Sequence, residues 1–132
     1  MKPYFAIFFK DGDGWGVRFP DADSVHTCGD TIDETLDMAV DALSGMLVVG
    51  RKGRDYNEPR SYDEVAREAE QGTLVLPVYP SEKAMETYAP KKRINVMVPV
   101  ELLEKVNDIV KHTEGLDRSR YFCEAVEEKM AR

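Results

Sequence analysis

Six residues near the C-terminal end limit what this chain can fold into. Over residues 93–98, Ile94, Val96 and Val98 alternate with Arg93, Asn95 and Met97, the two-residue period of a strand with one buried face, and Pro99 ends it. Pro99 suits a helix start, and Leu102, Leu103, Val106, Ile109 and Val110 follow near a 3.6-residue period as far as Gly115. Asp117 stands where a second helix needs an N-cap, ahead of Tyr121, Phe122, Ala125, Val126 and Met130. Residues 91–132 thus form a strand-helix-helix unit with a single short strand. A lone strand cannot satisfy its own backbone, and a unit of about 40 residues buries too little apolar surface to fold by itself. The unit is expected to dimerise by pairing its strand with that of a second copy. Ile94, Val96 and Val98 would then close over Leu103, Val106, Phe122 and Val126 of both subunits.

The residues ahead of this tail read as a separate α+β domain over 1–80. YFAIFF at 4–9, the turn Asp11-Gly12-Asp13-Gly14 and the alternation of Trp15, Val17 and Phe19 predict a β-hairpin with one buried face, and Val25–Cys28 predicts a third strand of the meander. Thr31 with Glu34 makes a capping box, and Ile32, Leu36, Val40, Leu43 and Leu47 recur at helical spacing, giving a helix over 31–48. Ser61 with Glu64 repeats the box ahead of a shorter helix over 62–71. Thr73–Tyr79 is β-rich, but Pro77 restricts it to an edge or to a short strand ending at Leu76. Residues 81–90, SEKAMETYAP, read as a linker between the two modules.

Charge divides along the same line. All of the net −7 lies on residues 1–80, with 8 Lys and Arg against 15 Asp and Glu, whereas 81–132 balances at 10 of each. The acidic module is suited to a basic partner surface, and the neutral tail opens on Lys91, Lys92 and Arg93, a local patch able to meet phosphate. No apolar run approaches the ~20 residues that span a bilayer, and the N-terminal apolar stretch is shorter than a signal-peptide core, so a cytoplasmic protein with Cys28 and Cys123 reduced is expected.

The tail, KRINVMVPVELLEKVNDIV with GLDRSRYFCEAVEEKM, resembles the ribbon-helix-helix family of dimeric DNA-binding proteins. The resemblance rests on the alternating strand, the proline at its end, the glycine between the helices, and Asp117 with Ser119 at the second helix start. It implies that Arg93, Asn95 and Met97 face the major groove, and that the helix start at Arg118 and Ser119 holds phosphate together with Lys91 and Lys92. The chemistry is consistent: Arg can bond guanine bidentately and Asn adenine, while Met97 offers only apolar contact, as to a thymine methyl. The bare alternative is that Arg93 and Asn95 merely keep the outer face of a dimerisation ribbon soluble.

The run YFAIFFKDGDGWGVRFPDADSVHTCGDTIDETLDMAVDAL resembles the HicB family of antitoxins. Its aromatic first strand, acidic Gly-containing turn, Phe-Pro-Asp strand end and Gly-Asp-Thr entry into an acidic helix match that family in order. The resemblance implies a partial ribonuclease-H-like fold that cuts no RNA, and a partner toxin, HicA, that is a small basic ribonuclease. The expected function is neutralisation of that toxin with autorepression of the operon through operator DNA. The assembly is a homodimer through the C-terminal strand, or a tetramer if the acidic domains also join. The turn surface around Asp13, Trp15 and Arg18 is the first place to look for toxin contact, since turns beside edge strands commonly receive partners. The alternative function is a stand-alone ribbon-helix-helix regulator whose N-terminal domain senses a ligand or mediates oligomerisation.

Enzymatic and metal chemistry find no footing. Asp11 and Asp13 begin like a calcium-binding loop, but Trp15 and Ala22 stand where its fifth and twelfth ligands belong. His26 and Cys28 have no second pair at zinc spacing, because His112 and Cys123 fall in the other module. The glycines at 12, 14 and 16 join two strands and not a strand to a helix, so they form no phosphate loop. No enzyme activity, cofactor or metal is expected.

Overall fold

The computed structural model describes all 132 residues, which divide into two compact units, Met1–Lys91 and Lys92–Arg132. The first contains β1 (Tyr4–Asp11), β2 (Gly14–Arg18), β3 (His26–Gly29), α1 (Ile32–Val49), α2 (Tyr62–Glu68), β4 (Leu74–Val78) and α3 (Glu82–Tyr88). The second contains α4 (Val100–Lys111) and α5 (Arg118–Met130).

The four strands form one antiparallel sheet in the order β3-β2-β1-β4. Gly12, at φ 59°, supplies the left-handed residue that the tight β1–β2 turn requires. β4 is an edge strand, the position at which Pro77, with no amide to donate, is tolerated. On one face Tyr4, Ala6, Phe8, Val17 and Val78 form a core with Ala39 and Leu43 of α1. Of the expected stripe of large residues, only Leu43 is fully buried. Thr35, Ala39, Leu43, Ser44 and Gly45 are the buried positions of α1, and Ile32, Leu36, Val40 and Leu47 flank them, only partly covered. Small side chains let helix and sheet approach closely: a Cβ on Gly29 would stand 2.7 Å from the Thr35 hydroxyl oxygen.

The opposite face of the sheet is also covered at its β1–β4 end. Ile7 and Val65 are fully buried there, and the Phe5 ring meets Tyr62 of α2 edge-on at 5.8 Å. The expectation of a hairpin with one buried face therefore fails at β1, where α2 closes over the second face. α2 itself ends at Glu68, three residues before the expected boundary.

A polar clamp fixes the connection between α1 and α2. The buried Asp21 carboxylate accepts from the Arg60 amide at 2.9 Å and from Arg60 Nε at 2.6 Å, and Arg60 reaches on to Glu68 at 2.7 Å. The Tyr4 hydroxyl donates to the Asn57 carbonyl at 2.7 Å, while the Asn57 amide donates to the Asp21 carbonyl at 2.8 Å.

Residues 81–90 are not a linker. Ser81 caps α3, and α3 packs on α1, so this segment belongs to the first unit. The reason is a short amphipathic pattern: Ala84, Met85 and Tyr88 share one helical face between Pro80 and Pro90, which bound the segment at either end.

Candidate functional site

In the first unit, strand alternation decides which residues can share a surface. Trp15 lies on the α1 face with Val17, half-buried against the core, and the Lys10 ammonium sits 4.7 Å from the centre of its ring. Arg18 is on the opposite face, across from Ile7 on one side and His26 on the other. It lines a shallow notch of about 190 Å³ with Ile7, Phe9, Glu70 and Thr73. Asp13 is exposed at the hairpin turn. The three residues expected to make one toxin-facing patch are therefore split between two faces and a tip.

The exposed acidic residues concentrate elsewhere. Asp33, Glu34, Asp37 and Asp41 project from the outer side of α1. The ion pairs of this unit, Lys52–Glu58 and Arg60 with Asp21 and Glu68, leave that row without a cation. Unneutralised carboxylates at four-residue spacing oppose one another along a helix, and a basic partner would relieve them. Arg60 holds the Glu68 carboxyl below its usual range, mainly by hydrogen bonding, and Lys52 does the same to Glu58.

Lys91, the last residue of the first unit, and Lys92, Arg93, Asn95 and Met97 of the second are all exposed, and residues 93–98 pair with no strand of the chain. The apolar half of the alternation is exposed too: Ile94 is 72% and Val96 74% accessible, while Val98 is half-covered. α4 and α5 pack together, with Val106 3% accessible and Phe122 half-buried, but Val126 remains 56% accessible. Of the seven residues expected to form a dimer core, a single chain fully buries only Val106. Gly115, at φ 76°, turns the chain between the helices, and the Asp117 side chain accepts the Arg120 amide at 2.7 Å, capping α5 with Arg118 and Ser119 exposed in its first turn. His26 with Cys28 and His112 with Cys123 lie in different units, and no three His, Cys, Asp or Glu side chains converge.

Sequence reasoning passed over two features of the first unit. One is the Asp21–Arg60 clamp, which joins positions 39 apart and carries no local pattern. The other is the docking of α3, for which Ser81 between Pro80 and Glu82, with Pro90 beyond, was a readable signal.

The comparisons with known proteins find relatives of this mixed α+β chain among antitoxins. The family model described as HicB-like antitoxin of bacterial toxin-antitoxin system matches residues 4–126. The chain belongs to this family. It is similar to the crystal structure of the antitoxin HicB of Burkholderia pseudomallei, at 25% identity and a TM-score of 0.52, over 99% of this chain and 98% of that one. The crystal structure of the antitoxin HicB3 aligns over 96% of both chains at 22% identity and a TM-score of 0.45. No curated protein sequence matches. No helix is long and apolar enough to cross a membrane.

Proposed function

We propose that this antitoxin divides its work between its two units. The first, a partial ribonuclease-H-like domain, binds and neutralises a basic HicA-like ribonuclease. The second pairs with a copy of itself as a ribbon-helix-helix dimer and represses the operon. The observation that carries the reading is the exposure of Ile94 and Val96 in an alternating segment that has no strand partner in its own chain. Pairing two such segments satisfies both backbones, buries both apolar faces over α4 and α5, and turns Arg93, Asn95 and Met97 outward on one two-stranded ribbon of a width that fits the major groove. Lys91, Lys92 and the start of α5 at Arg118 and Ser119 then lie where phosphate contacts are useful. Toxin binding rests on family membership and on the unneutralised acidic row of α1.

The test is co-expression with a basic HicA-like ribonuclease encoded beside it, followed by operator binding by the purified chain. The reading expects growth to be restored, the two proteins to co-purify, and the operator to be retarded by a dimer. Restoration of growth without any operator binding would leave the antitoxin and remove the repressor.

A further inference from the structure

α3 packs along α1. The Tyr88 ring lies flat enough on Gly45 that a Cβ there would come within 3.0–3.1 Å of three ring carbons. The Tyr88 hydroxyl donates to Asp41 at 2.8 Å, one helical turn away on the same face of α1. At the other end of α3 the Ser81 amide donates to the buried Ser44 hydroxyl at 2.9 Å, and the Ser44 hydroxyl donates in turn to the Val40 carbonyl at 2.7 Å. Asp41, Ser44 and Gly45 thus form a receiving strip cut to fit this one segment.

The packing is nevertheless shallow. α3 has seven residues and buries none of them completely, and its interior contains no ion pair. A helix that short is unstable alone in water, so its helical form depends on docking. Leaving α1 and unwinding are one event. Because α3 is the last element before the boundary at Lys91, that event changes how far the chain reaches from the sheet domain. Seven helical residues span about 10 Å. The same residues extended span up to about 25 Å.

From this arrangement we infer that α3 is a releasable strap, latched by Tyr88 on Gly45 and Asp41, that switches the tether between the two units from short and fixed to long and flexible without unfolding the sheet domain. A large, well-buried α3 would argue for a permanent part of the core; a segment with no contacts would be an ordinary linker. α3 lies between these: none of its residues is fully buried, yet the Tyr88 ring lies against Gly45 and its hydroxyl reaches Asp41.

The experiment is hydrogen exchange and limited trypsin digestion of the full chain, read at Met85–Ala89 and at Lys83, in wild type, Tyr88→Phe and Tyr88→Ala. In wild type the α3 amides should exchange faster than those of Ala6 and Phe8 in β1. Tyr88→Ala should raise α3 exchange and cleavage after Lys83 by about tenfold or more with β1 unchanged, and Tyr88→Phe, which keeps the ring on Gly45, should give a smaller increase. Unchanged α3 protection in Tyr88→Ala would show that Tyr88 is no latch. Parallel loss of protection in β1 would show that α3 is integral to the core and releases nothing.

Discussion

Asp21 shows how much can depend on one side chain. Both of its carboxylate oxygens accept from Arg60, so Asp21→Ala removes two charge-assisted hydrogen bonds and leaves Arg60 with Glu68 alone. At about 1.5–3 kcal/mol for a hydrogen bond to a charged group, the sheet domain should lose several kcal/mol of stability in urea titration. Tyr4 makes a second prediction, for alkaline pH. Burial, with a smaller contribution from Glu58, raises its phenol from 10.0 to about 12. The folded state therefore keeps the proton longer than the unfolded chain does. The stability Tyr4 contributes is complete below pH 10 and is lost as the pH rises toward 12. Thermal melts across that window should show Tyr4→Phe less sensitive to alkali than wild type, although less stable at pH 7. Neither role was legible in the sequence. Asp21 sits in a run, Pro20-Asp21-Ala22-Asp23, that reads as an ordinary turn, and the partner that buries it is 39 residues away.

Elements were legible where their signals are local. Both expected N-caps start helices, Thr31 accepting the Glu34 amide at 3.1 Å and Ser61 the Glu64 amide at 3.3 Å, but only Ser61 completes its box, because the Glu34 carboxylate accepts from the Asp30 amide and not from Thr31. The sheet partners of β4 and the second buried face of β1 were not legible, because they depend on which distant element closes over which face. α2 illustrates this. Its single buried residue, Val65, anchors it to the sheet over Ile7. Val65→Ala, which removes two methyl groups at about 0.8 kcal/mol each, should cost about 1.6 kcal/mol before any cavity term. Hydrogen exchange should report the loss first in α2 itself. The segment over 81–90 failed for a different reason. Its polar composition resembles a linker, and only Ala84, Met85 and Tyr88 reveal a face.

At the scale of the whole molecule, the two units differ in charge and in completeness. The first, which holds the whole net negative charge, has a finished core, and its association with a basic toxin should slow as salt rises. The second leaves Ile94 and Val96 in solvent, which the proposed pairing with a copy of itself would cover. The expectation of a missing partner comes from the sequence pattern, an alternating segment with no neighbour in its own unit, and the structure adds that Ile94 and Val96 are exposed. The same alternation separates two kinds of DNA variant. Arg93→Ala should cost about 1–3 kcal/mol at the operator and relax preference at one base position per half-site, whereas Lys92→Ala should weaken all sequences alike and lower the salt slope by about one. Binding titrations on specific and random duplexes at several salt concentrations distinguish them. The division of labour is tested most directly by sedimentation velocity of the full-length Val96→Asp variant, alone, with the toxin and with operator DNA. A buried charge at the ribbon should leave a monomer that still binds and inhibits the toxin but no longer binds the operator. A variant that stays dimeric on the operator, or one that loses the toxin while its sheet domain remains folded, would contradict it.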